Sequence, residues 1–292
     1  MPMLSRSHIR WWIIGLIAVA TVINYIDRTS LAVMWPAIAQ DAKLSKDDYA
    51  TIVSAFMVFY ALGQAVSGRI FDRIGTRLGF VLSVAVWSVA CAGHGIVRSF
   101  GGLAGARGLL GLSEAGNWPG ATKAVAEWFP RRERAFAQGI FNAGASLGAV
   151  ISAPVIALLF GLFGWRATFV VVGGLGLLWI LPWWILARAT PDKHPWVSPA
   201  ERAYILGDAD ALMAAGADAD VAGLTWRQVL GYRAAWALIL ARFFLDPIWW
   251  LFVNWLPIYL AERFGFDVKA IGMFAWVPYC QHRSETHLLP AV

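Results

Sequence analysis

Several charged and polar side chains lie inside long apolar runs of the sequence, where an ionised group is costly. The first run holds Tyr25, Asp27 and Arg28, and a later run holds Arg107 and Glu114. A charge at the centre of a bilayer costs about 2.5–3.5 kcal/mol on insertion scales, so such groups usually mark a transport pathway or an ion pair. Other polar residues in these and neighbouring apolar runs are Asn24, Tyr60, Gln64, Asn117, Lys123, Glu127, Arg242, Asp246 and Asn254.

The spacing of these residues predicts an anion site between two helices. At a rise of about 1.5 Å per residue, Arg28 lies about 10 Å and Arg107 about 9 Å below the same membrane surface. Two guanidinium groups at one depth can clamp a carboxylate. Glu114 is two helical turns beyond Arg107, and Asn117 follows one turn later on that face. Burial disfavours a charged carboxylate and a nearby arginine favours it, so we expect Glu114 to take up and release a proton.

The alternative interpretation is that these groups form structural ion pairs, for instance Asp27 with Arg107 or Arg28 with Glu114. Asp27 is adjacent to Arg28 and therefore faces a different direction on the helix. We treat Asp27 as a second candidate for proton coupling, with the neutralisation of an arginine as its alternative role.

The composition indicates which elements position these residues. The chain has 292 residues, of which 59% are hydrophobic and 14% charged, whereas soluble domains have about 25% charged residues. We therefore predict an all-α integral membrane protein. Runs of about 20 apolar residues predict seven spans, at residues 11–35, 50–70, 78–98, 101–128, 135–160, 166–187 and 236–260. An eighth apolar segment covers residues 271–279.

Basic residues outside the spans predict the orientation. They precede the first span, follow the second and fourth spans, and recur between the sixth and seventh spans. Because cytoplasmic loops are enriched in lysine and arginine, we expect a multi-pass protein of the inner (plasma) membrane with a cytoplasmic N-terminus. The net charge of +6 is then explained without a nucleic-acid partner. In the long linker, Ser198 and Glu201 form a capping-box pattern that predicts a short helix.

Two apparent functional motifs have simpler explanations. The sequence Gly144-Ala145-Ser146-Leu147-Gly148 matches the G-x-S-x-G pattern of hydrolases, but that chemistry needs a strand-to-helix turn. Inside a span the same glycines indicate close helix packing. A retinal protein is excluded because residues 236–260 contain no lysine for a Schiff base. We expect no enzyme activity, no metal and no cofactor.

The loop after the second span resembles a known transporter signature. It reads Gly68-Arg69-Ile70-Phe71-Asp72-Arg73-Ile74-Gly75-Thr76-Arg77, which is similar to the cytoplasmic loop G-x-x-x-D-R-x-G-x-R of the major facilitator superfamily. The resemblance implies a gating loop formed by Gly68, Asp72, Arg73, Gly75 and Arg77.

Longer segments narrow the resemblance. Residues 107–141 and 24–28 resemble the anion:cation symporter branch of that superfamily, and residues 193–198 and 246–250 are similar to hexuronate (glucuronate/galacturonate) transporters. The resemblance implies proton-coupled symport of a sugar acid by alternating access, with the bilayer, a small organic anion and a proton as partners. The implied substrate-binding residues are Arg28, Arg107, Tyr60, Asn117 and Tyr25, and the implied proton-coupling residues are Glu114 and Asp27.

The chain departs from the family after span seven. Family members have twelve spans, whereas here the apolar pattern of span eight gives way to a polar tail at residues 280–292. We interpret the change as a frameshift or truncation, with a natural short form as the alternative. We therefore expect a six-helix N-terminal bundle at 1–190, a cytoplasmic linker at 191–233, and an incomplete C-terminal bundle at 234–292 that comprises span seven, a stub of span eight and the tail. Such a chain is expected to insert into the membrane without transporting by itself.

Two other functions remain open at this point. The same fold could carry another organic anion, such as an aldonate, an aldarate or a tricarboxylate-like acid. A membrane receptor that binds its ligand without translocation is the remaining alternative.

Overall fold

The computed structural model describes residues 8–188, 190–214 and 226–280, and these residues form helices and connecting loops without a strand. The polar tail predicted from residue 280 lies outside the described residues except for Cys280. The helices are α1 (Ile9–Ala42), α2 (Lys46–His94), α3 (Phe100–Glu114), α4 (Asn117–Trp128), α5 (Arg131–Leu186), α6 (Pro199–Ala214), α7 (Trp226–Val229), α8 (Arg233–Phe264), α9 (Val268–Phe274) and α10 (Val277–Cys280). In the described part of the chain, α1, α2, α5 and α8 are long and apolar enough to cross a membrane. The protein is an all-α membrane protein, as predicted.

Helices α2 and α5 each contain two predicted spans. Gly75 interrupts α2 with φ 78° and ψ 165°, and Gly164 interrupts α5 with φ 74° and ψ 171°. A side chain disfavours these positive φ angles, so glycine is suited to both positions. Predicted spans two and three are therefore the two parts of α2, and spans five and six are the two parts of α5.

Predicted span four is divided into α3 and α4. The break falls at Ala115 and Gly116, and Pro119 follows three residues later. Proline has no backbone N–H and cannot donate to the carbonyl of Ala115 four residues earlier. The regular hydrogen-bond pattern is thus interrupted directly after Glu114, at the level of the candidate site.

The linker docks on one end of the bundle, which we call the linker end. Arg10 at the start of α1 contacts Glu133 of α5 at 3.1 Å and Glu201 of α6 at 2.8 Å. The predicted cap is present, because the N–H of Glu201 donates to Ser198 Oγ at 3.2 Å. The hydroxyl of Tyr204 donates to Glu133 at 2.7 Å, and this bond to a carboxylate raises the pKa of Tyr204.

The opposite end of the bundle, which we call the far end, is held by Arg166. Its guanidinium contacts Asp41 at 3.1 Å and donates to the carbonyl oxygens of Gly95 and Val97, at 3.4 and 2.9 Å. These contacts connect α5 to the end of α1 and to the loop that follows α2.

Small residues allow α5 to pack closely on α1. A Cβ atom added at Gly144 would lie 2.6 Å from the Ala18 carbonyl oxygen, and one added at Gly148 would lie 2.8 Å from Tyr25 Cβ. Ser146 is exposed, and its Oγ donates to the carbonyl of Asn142 at 3.5 Å. The G-x-S-x-G pattern is therefore a helix-packing pattern.

Helix α8 packs on the bundle through its second half only. Its buried residues are Val253, Asn254, Pro257 and Ile258. The hydroxyl of Tyr49 donates to the Asn254 carbonyl, and Lys46 pairs with Glu262 near the far end. The first half of α8 is largely exposed, with large apolar side chains at Leu238, Phe243, Phe244 and Leu245. A gap therefore separates this part of α8 from α2 and α4.

Candidate functional site

The centre of the candidate site is an ion pair between α1 and α3. Arg28 Nε and Nη2 both donate to Glu114 Oε2, at 3.1 and 2.9 Å, and Nη2 also donates to Asn24 Oδ1 at 3.0 Å. Both partners are almost completely inaccessible to solvent, with side-chain exposures of 3% for Arg28 and 0% for Glu114. The ion pair that the sequence suggested as an alternative to a substrate site is thus present.

The direction of helical side chains explains how Arg28 reaches Glu114. From depth alone, Glu114 was expected about 10 Å from the level of Arg28. Side chains on a helix lean towards its N-terminus, so Arg28 extends one turn back to Asn24. On the antiparallel helix α3, the same rule directs Glu114 towards Arg28. The lengths of the Arg28 and Glu114 side chains, which lean towards each other, together span the difference in depth between their backbones.

Aromatic rings surround the Arg28 guanidinium. Its Cζ atom lies 4.8 Å from the Trp250 ring centre, 5.1 Å from Tyr60, 5.2 Å from Tyr25 and 5.5 Å from Phe56. Cations are attracted to the faces of aromatic rings at such distances. The rings also exclude water, which strengthens the interaction of the guanidinium with an anion.

Arg28 borders a cavity of about 810 Å³ between the bundle, the middle of α8 and Pro278 of α10. This volume is typical of a small-molecule site. The lining residues are Tyr25, Arg28, Tyr60, Gln64, Trp118, Arg242, Leu245, Asp246, Ile248, Trp249, Trp250, Phe252 and Pro278. The cavity therefore combines one buried cation with hydroxyl, amide and indole groups.

One nitrogen of Arg28 remains for a ligand. Nε and Nη2 are used by Glu114 and Asn24, whereas Nη1 has no hydrogen-bond partner among the described residues. Every fully buried polar atom without a partner in the described structure is known, and Nη1 is not one of them. Nη1 is therefore partly accessible, and it belongs to the part of Arg28 that borders the cavity.

Arg107 does not line the cavity. It is fully buried, its Nη2 donates to the backbone carbonyl of Arg28, and its Cζ atom lies 4.9 Å from the Phe56 ring centre. Its Nε and Nη1 have no partner in the described part of the chain. The expected equal depth of Arg28 and Arg107 agrees with this contact. In this structure, however, Arg107 lies on the side of Arg28 away from the cavity, and the two side chains do not form a two-arginine clamp.

Asp27 is buried on another face of α1. Both of its carboxylate oxygens lack a hydrogen-bond partner among the described residues, and no described ion pair joins it to Arg107. The thiol of Cys91 on α2 is its near neighbour. Asp27 therefore occupies the protein interior and is separate from the cavity lining.

The remaining predicted binding residues lie at or near the cavity. Tyr60 and Tyr25 line it, and Tyr60 Oη accepts a hydrogen bond from Gln64 Nε2 at 3.0 Å. Asn117 is fully buried and donates from Nδ2 to Thr21 Oγ1 at 3.0 Å, while its Oδ1 has no partner in the described structure. Asn117 thus joins α4 to α1 and does not border the cavity.

The sequence analysis did not assign Arg242, Asp246 or the neighbouring tryptophans to the site. Arg242 and Asp246 form an ion pair at 3.2 Å, and both line the cavity together with Trp249. The signal was present, since these two charges interrupt an apolar run. Tryptophans are common at membrane interfaces, so those of α8 were not distinctive.

The predicted gating loop connects helices at the linker end. Asp72 pairs with Lys123 at 2.7 Å. Arg77 donates to the carbonyls of Trp184 and Arg188, both at 3.1 Å, and stacks on the Trp184 ring at 3.8 Å. Gly75 supplies the helix break, Gly68 lies one turn before Asp72, and Arg73 is exposed. This loop thus contacts α4 and the end of α5.

Comparisons with known proteins agree with this arrangement. Residues 17–280 match the Major Facilitator Superfamily. The chain is 35% identical to a galacturonate transporter of Dickeya chrysanthemi, over 94% of this chain and 79% of that protein. It is 34% identical to a hexuronate transporter of Escherichia coli K12 (92% and 62%) and 30% identical to a probable galactarate/D-glucarate transporter of the same strain (94% and 63%). The chain therefore spans less than two thirds of the two E. coli relatives.

A solved structure shares the fold. A bacterial homologue of the human lysosomal transporter Spinster, in an inward-facing and unoccupied conformation, matches with a TM-score of 0.71 at 22% identity, over 94% of this chain and 60% of that one. These relatives are membrane transporters and not enzymes, in agreement with the sequence analysis. On the match over residues 17–280 and the similarity to the galacturonate transporter, the chain belongs to the Major Facilitator Superfamily.

Proposed function

We propose that this chain forms the substrate site of a transporter that binds a sugar acid of the hexuronate type and carries it with a proton across the inner membrane by alternating access. The observation that carries this proposal is the Arg28–Glu114 pair, whose guanidinium borders the cavity and whose Nη1 has no hydrogen-bond partner among the described residues. The names of the galacturonate and hexuronate transporters to which the chain is similar support the substrate class.

Substrate binding follows from the cavity lining. The carboxylate of the acid binds Arg28 Nη1, where the surrounding rings keep water away. Tyr25, Tyr60 and Gln64 offer hydroxyl and amide groups to the sugar hydroxyls. The faces of Trp118 and Trp249 provide apolar surface for the C–H groups of the sugar.

Proton coupling follows from the partners of Glu114. Oε2 accepts both hydrogen bonds from Arg28, whereas Oε1 is buried without a partner among the described residues. A proton on Oε1 neutralises the carboxyl group and weakens its attraction for Arg28. The guanidinium is then free to bind the substrate carboxylate, so the proton and the acid load together. Asp27 is the second proposed proton-coupling group.

Access to the site alternates by motion of α8 against the bundle. The Tyr49–Asn254 and Lys46–Glu262 contacts close the far end, and the exposed first half of α8 leaves a path from the linker end. We assign the linker end to the cytoplasm because of its basic residues. The bundle at 1–190 and the helices at 234–280 are the proposed moving parts, joined by the linker at 191–233, and the loop from Gly68 to Arg77 is the proposed gate.

Binding of radiolabelled galacturonate to the purified 292-residue chain in detergent tests the proposal. We expect saturable binding that unlabelled galacturonate displaces. Arg28→Lys should lose at least tenfold in affinity, because the single ammonium group of lysine cannot replace the planar fork of donors with which arginine binds Glu114, Asn24 and a ligand together. Arg263→Lys is the matched control, since Arg263 is exposed near the far end of α8.

Absence of saturable galacturonate binding would contradict the hexuronate assignment. A panel containing an aldonate, an aldarate and a tricarboxylate then identifies another organic anion as the cargo. Saturable binding to the chain with unchanged affinity in Arg28→Lys would move the carboxylate site away from Arg28.

A further inference from the structure

The Arg242–Asp246 pair of α8 is unusual for a membrane-spanning helix. Its two charges lie in an apolar run, where ionised groups are costly unless they serve a site. The pair is also accessible, with side-chain exposures of 76% for Arg242 and 47% for Asp246. An accessible pair one turn apart contributes little to helix stability. Stabilisation of α8 therefore does not explain why the pair lies in this position.

The geometry places this pair at the other end of the cavity from the Arg28 nitrogen. Trp250 contacts Arg28 at 4.8 Å, and Asp246 precedes Trp250 by four residues on the same helix face. Asp246 therefore lies one helical turn, about 6 Å, closer to the linker end, and Arg242 lies one turn further. Both residues also border a neighbouring hollow of about 630 Å³ next to Met57.

We infer that the Arg242–Asp246 pair recognises the uncharged, hydroxylated end of the substrate and selects acids that carry one carboxylate over those that carry two. The inference rests on the proposed function, in which the carboxylate binds Arg28. A six-carbon acid held there directs its opposite end towards the pair. Asp246 accepts hydrogen bonds from hydroxyl groups, and Arg242 donates to oxygens that have no charge.

The charges around the cavity support this selection. Asp246 neutralises Arg242, so the pair presents no net positive charge to a second carboxylate. Asp246 itself repels such a carboxylate. Without the aspartate charge, Arg242 would be a second guanidinium on the cavity with no acidic partner on α8, an arrangement that favours a dicarboxylate.

Two six-carbon acids test this inference. Galacturonate carries one carboxylate and closes into a ring, whereas galactarate carries two and is an open chain, so the quantity compared is the change of their affinity ratio on substitution. We measure the affinities of both acids for the purified full chain and for Asp246→Asn, which keeps the shape of the side chain and removes its charge. The expected result is at least a tenfold shift of the affinity ratio towards galactarate. Arg242→Gln should weaken galacturonate binding without a shift towards galactarate.

The control and the contrary results are distinct. Asp47→Asn removes an exposed acidic charge at the start of α2, near the far end and outside the cavity, and should leave the ratio unchanged. If galacturonate binds but the ratio in Asp246→Asn equals that of the wild type, the selection by Arg242 and Asp246 is wrong and the proposed function stands. If the wild-type chain prefers galactarate, the selection is wrong in the same way. If neither acid binds, both the inference and the hexuronate assignment fail.

Discussion

Arg107 donates from Nη2 to the backbone carbonyl of Arg28, the residue whose side chain borders the cavity. One arginine thus holds the main chain of the other. The contact fixes α1 against α3 at the turn from which the Arg28 side chain extends to Glu114. We propose that Arg107 positions Arg28; its remaining two nitrogens are buried without a partner in the described chain.

Arg107→Ala should weaken galacturonate binding strongly. The substitution removes the donor to the Arg28 carbonyl and leaves a void in a fully buried place, so Arg28 is no longer held. We expect a loss of at least tenfold in affinity, measured by equilibrium binding. Arg98→Ala, which removes an exposed arginine of the loop after α2, is the control. Wild-type affinity in Arg107→Ala would show that Arg28 needs no such support.

Glu114→Gln should separate binding from proton coupling. Glutamine retains an oxygen that accepts from Arg28, but it carries no charge and does not titrate. In membrane vesicles that contain these residues joined to a complete second bundle, we expect the variant to keep counterflow exchange of labelled acid and to lose accumulation driven by a proton gradient. Concentration of the acid against its gradient by Glu114→Gln would refute the role of this carboxyl.

The same variant predicts a change in the pH dependence of binding. In the wild type, protonation of Glu114 releases Arg28, so galacturonate binding should tighten as the pH falls through the titration of Glu114. In Glu114→Gln the affinity should not vary with pH over the same range. Equal slopes of affinity against pH in both proteins would assign the proton to another group, with Asp27 as the next candidate.

Gly148→Leu should destabilise the contact between α1 and α5. Even the Cβ atom would lie 2.8 Å from Tyr25 Cβ and 3.1 Å from Val22 Cα, and overpacking of this kind costs about 1–3 kcal/mol or more. We expect a lower midpoint of thermal unfolding in detergent, and weaker galacturonate binding because Tyr25 lines the cavity. At Gly161 an added Cβ meets nothing within 4 Å, so Gly161→Ala should leave the midpoint nearly unchanged.

Glu201→Ala should loosen the linker helix. Glu201 is fully buried and pairs with Arg10, and removing one partner of a buried pair costs about 3–5 kcal/mol. We expect trypsin to cleave at Arg202 sooner than in the wild type, as followed by gel electrophoresis over time. Glu262→Gln disrupts an exposed pair, worth about 0–1 kcal/mol, and should not alter this cleavage. Equal cleavage rates in Glu201→Ala and the wild type would show that α6 docks without this ion pair.

The helices and the charged residues of the site were predictable from the sequence for a simple physical reason. A membrane helix needs about 20 apolar residues, so the spans and any charge inside them are visible directly. The six predicted spans of the bundle correspond to α1 and to the parts of α2, α3 with α4, and α5. The interruption of span four was missed because a proline inside an apolar run can either kink a helix or end it. Which of the two occurs at Pro119 depends on the surrounding helix.

The contacts within the site were less accessible to sequence reasoning. Residue depth follows from position along a helix, but the direction and length of arginine side chains decide which groups meet. Arg28 reaches Glu114 across a difference in depth, and Arg107 reaches a carbonyl instead of the cavity. The rings around Arg28 come from α1, α2 and α8, and no spacing in the sequence connects Trp250 with Tyr60.

The two glycine breaks have a consequence for how the two groups of three spans are held together. Gly75 and Gly164 have nearly equal φ and ψ angles at opposite ends, and each is followed two residues later by an arginine. Arg77 caps carbonyls at the end of the sixth span, and Arg166 caps carbonyls just after the third. The first three spans and the next three thus carry the same kind of glycine break and the same kind of arginine contact at opposite ends of the bundle. Each group of three spans is fastened by an arginine of the other group, so the six spans form one interlocked body.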